Sequence, residues 1–101
     1  MTRVFLHDCD ADLEVLYSLR LARDGFAIVD DPSTADVLVV DACVEGRQLV
    51  ADYPSTPLVV TSIYSRETEP DLAAAAHRFL AKPFRLDLLA EAVTRAAGSR
   101  V

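Results

Sequence analysis

The chain has 101 residues, of which 51% are hydrophobic and 26% are charged, and its net charge is −6 at pH 7. This length and composition predict one globular domain, residues 1–101, large enough to bury a core. The acidic balance argues against binding to nucleic acid or to an anionic membrane, because phosphate groups attract lysine and arginine. No apolar run approaches the roughly 20 residues of a membrane span, and no apolar signal segment is recognised, so we expect a cytoplasmic protein.

Strand and helix patterns alternate along the chain. Short apolar runs rich in β-forming residues predict strands at 3–7, 26–29, 36–41, 57–61 and 78–81. The intervening segments predict helices at about 11–23, 46–53, 70–77 and 86–97. This alternation predicts an α/β fold with a parallel sheet covered by helices.

The connection between the second and third predicted strands is too short for a helix. Only the turn-rich residues 30–35 separate these strands, whereas a parallel crossover usually takes a dozen or more residues. We therefore expect one sheet face to be bare, or to be covered by another molecule. A homodimer through that face is one such arrangement.

Polar side chains follow the predicted strands at the point where each strand ends. In parallel α/β sheets the functional crevice lies at these carboxyl ends, at the point where the strand order reverses. Lys82 stands out there because it is the only lysine, the other nine basic residues being arginines, and because Pro83 follows it. The residues that converge on this edge are Asp8, Cys9, Asp10, Asp41, Thr61, Ser62 and Lys82.

The order and spacing of these residues resemble those of a response regulator receiver domain. The resemblance implies a flavodoxin-like, five-stranded parallel sheet of order 2-1-3-4-5, with the second helix missing from this chain. The matching segments are R-V-F-L-H-D-C-D-A-D-L at 3–13, D-V-L-V-V-D at 36–41, P-L-V-V-T-S at 57–62 and F-L-A-K-P-F at 79–84.

The resemblance also implies a magnesium site. Asp41 matches the phosphoacceptor, and Asp8 matches the first of the two acids that hold Mg²⁺ with it. Cys9 stands where the family has the second acid, and a neutral thiol is a poor ligand for a hard cation. Asp10, one residue further on, is the alternative acid, so Mg²⁺ is expected to bind weakly.

Three further residues match positions that receiver domains use to hold and report the phosphoryl group. Ser62 matches the conserved hydroxyl residue, with Thr61 as the alternative if the register is shifted by one. Lys82 matches the conserved lysine, and Phe79 matches the switch aromatic.

These matches imply a stand-alone receiver-like signalling domain of a two-component system rather than an enzyme. A sensor histidine kinase or a phosphotransfer protein would phosphorylate Asp41, and a downstream protein partner would receive the signal through direct contacts. The alternative is a pseudo-receiver adaptor that works without phosphorylation. In that case Asp41 and Lys82 would remain only as a structural ion pair.

Two other interpretations involve the residues around Cys9. Two cysteines do not make a disulfide framework, and Cys9 and Cys43 are expected to be small buried apolar residues. Redox or soft-metal sensing by this pair, with His7 nearby, is the alternative. The D-C-D segment at 8–10 also resembles the D-x-D of haloacid-dehalogenase-like phosphatases, but the chain is too short for that fold.

The first predicted helix carries two apolar stripes. Leu13, Tyr17 and Leu21 recur at a spacing of four residues, and Val15 and Leu19 lie on roughly the opposite side. One stripe is expected to face the sheet, and the other to meet the final helix or a helix of a partner. We expect this helix to contact a protein partner, with Val15 and Leu19 as the residues to test.

Overall fold

Strands and helices alternate along the chain in a computed structural model that describes residues 1–98. The strands are β1 (Arg3–His7), β2 (Ala27–Ile28), β3 (Val37–Asp41), β4 (Leu58–Ser62) and β5 (Arg78–Ala81). The helices are α1 (Ala11–Arg23), α2 (Val44–Asp52), α3 (Pro70–Ala75) and α4 (Leu86–Gly98). All strand pairs are parallel, and the order β2-β1-β3-β4-β5 confirms the predicted sheet.

Helix α1 begins at an aspartate cap and presents one stripe to the core. The Asp10 side chain accepts hydrogen bonds from the backbone N–H groups of Asp12 and Leu13, which would otherwise lack partners. Tyr17 and Leu21 are buried, so theirs is the stripe that faces the core. The opposite stripe, with Val15 and Leu19, is exposed to solvent.

Two apolar clusters enclose the sheet, one on each face. On one face α1 and α4 pack over alternate residues of β1, β3 and β4, such as Val4, Val39 and Val59. On the other face α2 and α3 cover the strand residues that alternate with these, such as Leu38 of β3 and Val60 of β4. The two central strands are therefore buried on both sides, as expected for a parallel sheet. No helix within residues 1–98 is long and apolar enough to cross a membrane.

The missing helix is replaced by a single turn of 3₁₀-helix at Pro32–Thr34. Asp31 caps this turn by accepting a hydrogen bond from the backbone N–H of Ser33. Side chains of α2 and α3 pack over the centre of this face and leave Leu38 at 0% and Val40 at 1% exposure. Towards β1 and β2, however, Phe5 and Val29 are only partly buried, so the cover is incomplete. A homodimer through this face stays a prediction.

Gly46 allows the first turn of α2 to lie against the end of β3. A Cβ atom added there would overlap the backbone carbonyl oxygen of Asp41. The close approach fixes the position of the loop that follows Asp41, which is why this helix position requires glycine.

We predict that Gly46→Ala lowers the free energy of unfolding by about 1–3 kcal/mol, because α2 must move away from β3. Gly98→Ala is the matched control, since a Cβ there meets open space, and it should change stability by less than about 0.5 kcal/mol. Urea unfolding monitored by circular dichroism measures both. Equal stability of the two variants would show that the contact does not constrain α2.

Candidate functional site

The carboxyl ends of β1, β3, β4 and β5 bring the predicted site residues to one edge of the sheet. In the β1–β3 register His7 lies beside Val40. Asp8, the first residue after β1, therefore lies beside Asp41, the last residue of β3. Asp41 in turn lies beside Thr61 of β4. Lys82 follows directly after β5.

The ammonium group of Lys82 joins two aspartates at this edge. Its Nζ donates hydrogen bonds to Oδ2 of Asp8 at 2.8 Å and to Oδ1 of Asp41 at 3.0 Å. The side chain of Asp8 is 2% exposed and that of Asp41 is 15% exposed. Because charge is costly to bury without a partner, Lys82 stabilises both carboxylates at this largely buried edge.

The surroundings of Lys82 act on its pKa in opposite directions. Burial by itself would lower the pKa, but the hydrogen bonds and charges of Asp8 and Asp41 outweigh burial and raise it. Lys82 therefore stays protonated at neutral pH. Asp8 is held on its other side as well, since Oδ1 accepts a hydrogen bond from the backbone N–H of Asp10 at 2.8 Å.

The strand register favours Thr61 over Ser62 as the hydroxyl residue of the site. Neighbouring residues of parallel strands point to the same face, and successive residues alternate. Thr61 lies beside Asp41 in the register and so shares its face, whereas Ser62 lies one residue further on and faces away. The Ser62 hydroxyl instead accepts a hydrogen bond from the backbone N–H of Tyr64 at 3.0 Å. The register therefore favours Thr61, the alternative residue, as the hydroxyl neighbour of Asp41.

Phe79 and Asp10 are placed outside the group formed by Lys82 and its partners. Phe79 is half-buried on the face covered by α2 and α3, in contact with the second apolar cluster. Asp10 uses Oδ1 to cap α1, accepting from the backbone N–H of Asp12 at 2.9 Å and of Leu13 at 3.3 Å.

Cys9 and Cys43 form a disulfide, so the expectation of two buried free cysteines is wrong. Their Cα atoms are 6.7 Å apart, within the usual range for a disulfide. Cys9 is exposed and Cys43 is partly exposed. The physical reason is that β1 and β3 are adjacent and end at the same level, which brings the residues after them side by side.

The two carboxylates suit Mg²⁺ by donor type. Mg²⁺ takes hard oxygen ligands and is commonly held by one or two carboxylates, with water completing its shell. Asp8 and Asp41 supply these oxygens, but Cys9, in a disulfide, supplies none. Within residues 1–98 no third acidic, cysteine or histidine side chain groups with this pair. Asp8 and Asp41 therefore offer Mg²⁺ two carboxylate ligands, one fewer than the three that the resemblance implies.

Tyr17 is a neighbour of the site that the sequence identified only as a core residue. Its ring stacks on Phe84 with the ring centroids 5.5 Å apart, and it is 5% exposed. Burial raises the pKa of its hydroxyl. The charge of Lys82 lowers this pKa by a smaller amount, and the charges of Asp8 and Asp41 raise it further. Tyr17 therefore stays neutral and forms an apolar wall beside the charged group. The spacing of Tyr17 along the helix did not indicate that it also lies beside the site.

We predict that Lys82→Met lowers the free energy of unfolding by about 3 kcal/mol at pH 7, because two buried carboxylates lose their counter-charge. Since folding raises the pKa of Lys82, this contribution is complete below the unfolded lysine pKa of about 10.4 and declines as the pH rises above it. Urea unfolding across this pH range measures both effects. Arg85→Met is the control, because that side chain is 83% exposed and should contribute less than about 1 kcal/mol. Equal losses from the two variants would contradict the role given to Lys82.

No protein-family model matches the sequence, and no curated protein matches it. Solved structures do match over nearly the whole chain. A sensor protein from Polaromonas sp. JS666 has 22% identity and a TM-score of 0.81, with coverage of 99% of this chain and 98% of that chain. The Francisella response regulator 1452 receiver domain has 20% identity and a TM-score of 0.80, with coverage of 100% of both chains.

A third similar structure is a complex with Mg²⁺-BeF. It is the response regulator protein TrrA from Thermotoga maritima in complex with Mg²⁺-BeF, with 18% identity, a TM-score of 0.76, and coverage of 95% of this chain and 99% of that chain. At these levels of identity the likeness concerns the fold. The fold that the sequence resemblance implied is confirmed: this chain has the fold of the response regulator receiver domains.

Proposed function

We propose that this protein is a receiver-type signalling domain of a two-component system that accepts a phosphoryl group on Asp41. The observation that carries the proposal is the position of Lys82, whose ammonium group contacts both Asp41 and Asp8 at the carboxyl edge of the sheet. Any of these residue types is common alone. Their convergence on one edge of a receiver fold supports a common chemical role. The proposal includes the cytoplasmic location expected from the sequence.

Asp41 is the nucleophile in this account. A carboxylate oxygen of Asp41 attacks the phosphorus of a phosphohistidine on a partner, and the phosphorus–nitrogen bond breaks with its electron pair going to the imidazole. The product is an acyl phosphate on Asp41. Lys82 is charged and is within hydrogen-bond distance of Asp41, so it is available to pair with the added phosphoryl oxygens. Thr61 lies beside Asp41 in the register and offers the hydroxyl donor.

Asp8 and Asp41 are the residues that would hold Mg²⁺ at this edge. When bound, the ion supplies positive charge against the phosphoryl oxygens. The protein's own contribution is to keep Asp8 in place through the backbone N–H of Asp10 and through Lys82. Because Cys9 stands where the resemblance expects the second acid, we expect Mg²⁺ to bind more weakly than in a site with three carboxylates.

The exposed stripe of α1 supports a protein partner as the phosphodonor. Val15 is 58% exposed and Leu19 is 66% exposed, although both are apolar. Next to them a groove of about 460 Å³ runs from Leu16 past Phe84 to Lys82. A partner helix on this surface would bring its reactive histidine towards Asp41, so we propose that a sensor kinase or phosphotransfer protein docks here.

A second candidate function is a phosphorylation-independent adaptor. The observation that favours it is Cys9, which stands in the acid position and is bonded to Cys43. In an adaptor Lys82, Asp8 and Asp41 would act only as a structural ion cluster, and α1 would contact a partner regardless of phosphate. Binding of a phosphoryl mimic separates the two functions.

We predict that beryllofluoride with Mg²⁺, a mimic of the acyl phosphate, shifts the amide NMR signals of Asp41, Thr61 and Phe79. Asp41→Asn should abolish the shifts, because the amide is not a nucleophile for the mimic. Asp30→Asn, at an exposed aspartate outside the group formed by Lys82, Asp8 and Asp41, is the matched control and should behave as the wild type. Absence of shifts in the wild type at saturating Mg²⁺ would favour the adaptor.

We predict that Leu19→Arg slows phosphoryl transfer from a histidine kinase that phosphorylates the wild type by about tenfold, which corresponds to a loss of about 1.4 kcal/mol of docking energy. Transfer from acetyl phosphate should not change, because that donor needs no docking surface. Leu88→Arg on α4, at a position 42% exposed in the wild type, is the control. Equal slowing with both donors would place the defect in the site rather than in docking.

A further inference from the structure

A second group of potential metal ligands lies beside the disulfide and outside the Lys82 ion cluster. It consists of His7, Cys9, Cys43 and Glu45, whose ligand atoms all lie within 4.8 Å of one another. The set offers two sulfurs, one imidazole nitrogen and one carboxylate oxygen. Cysteine, histidine and carboxylate are the ligands that Zn²⁺ takes in proteins, usually four in number.

The fold brings these four residues together from two chain segments. His7 ends β1, and Cys9 follows it in the loop. Cys43 caps α2 without a side-chain hydrogen bond, and Glu45 lies in the first turn of that helix. The Sγ atom of Cys9 is 3.5 Å from Oε2 of Glu45. A disulfide requires only the two sulfurs, so it does not account for the imidazole and the carboxylate beside it.

His7 supplies an independent indication that a ligand belongs here. Its Nδ1 lies 3.5 Å from Oε1 of Glu14, whereas its Nε2 is buried and has no hydrogen-bond partner within the described chain. Buried polar atoms almost always have a partner, and a cation would provide one. Metal-binding histidines commonly direct their other ring nitrogen to a carboxylate, and Glu14 is that carboxylate.

We propose that, once the disulfide is reduced, His7, Cys9, Cys43 and Glu45 bind one Zn²⁺ ion. A thiol reductant opens the site: two reductant thiols become one disulfide, and the Cys9–Cys43 bond becomes two thiols. The thiols each release a proton when their sulfurs bind the metal. The same two sulfurs cannot form the disulfide and hold the ion, so oxidation and metal binding exclude each other.

This site is chemically distinct from the edge formed by Asp8 and Asp41. Thiolate and imidazole ligands select borderline cations such as Zn²⁺, whereas paired carboxylates suit Mg²⁺. The inference does not depend on phosphorylation of Asp41, and either proposal can fail without the other.

The test is a titration of the full chain with Co²⁺, a coloured substitute for Zn²⁺, followed by displacement with Zn²⁺. The protein is reduced with dithiothreitol, and the reductant is removed under anaerobic conditions. We expect one equivalent of Co²⁺ to bind with the charge-transfer absorption of thiolate ligands, and Zn²⁺ to displace it. The oxidised protein should show none of this absorption. Absence of the absorption from the reduced wild type would overturn the proposal without any substitution being made.

Variants identify the ligands. Cys43→Ser and His7→Gln should each weaken Zn²⁺ binding by at least about tenfold, whereas Glu67→Gln, an exposed acid outside the group, should leave it unchanged. Circular dichroism of each apo variant establishes that it is folded. Asp41→Asn should also retain Co²⁺ binding. Loss of binding in Asp41→Asn, or its retention in Cys43→Ser, would assign the ion to a different place and refute the proposal.

Discussion

The ammonium group of Lys82 lies between two carboxylates that would otherwise repel each other at a largely buried edge. This contact sets conditions on the whole fold. β1 and β3 must be neighbours that end at the same level, and the side chain of Lys82, which follows β5, must reach both of them across the end of β4. Burying two ionised aspartates without a cation would cost several kcal/mol, a large share of the stability of a domain this size.

The strand pattern made most of the fold predictable. Continuous apolar runs such as β3 and β4 can be buried only between two layers of helices, and the alternation of elements implies parallel pairing. The absence of a helix between β2 and β3 was predictable, because too few residues separate the two strands for a helical crossover. How much of this face is covered could not be predicted, because it depends on how far the side chains of α2 and α3 reach, and spacing along the chain does not give that distance.

The convergence of the charged residues at the sheet edge was predictable from the sequence. Asp8, Asp41 and Lys82 each end or follow a strand, so their convergence follows from parallel topology. Thr61 and Ser62 could not be separated from the sequence, because a shift of one residue moves a side chain to the other face. The disulfide was missed for a different reason: a pair of cysteines carries no geometric information until the strands before them are known to be neighbours.

The position of Cys9 divides the edge of the sheet into two chemically different halves. On one side Asp8 and Asp41 offer hard oxygen ligands and a nucleophile. On the other side Cys9 and Cys43 offer sulfur beside His7. The backbone joins the halves directly, since Cys9 follows Asp8 and Cys43 lies two residues after Asp41. The oxidation state of the sulfurs is therefore expected to affect the position of both aspartates.

The most direct test of the account is intact-mass spectrometry after incubation with acetyl phosphate and Mg²⁺, followed by peptide mapping of the modified residue. The account predicts the addition of a single phosphoryl group, located on Asp41 and removed by hydroxylamine, as expected of an acyl phosphate. An unmodified mass at high concentrations of donor and Mg²⁺, or a phosphoryl group on another residue, would contradict it.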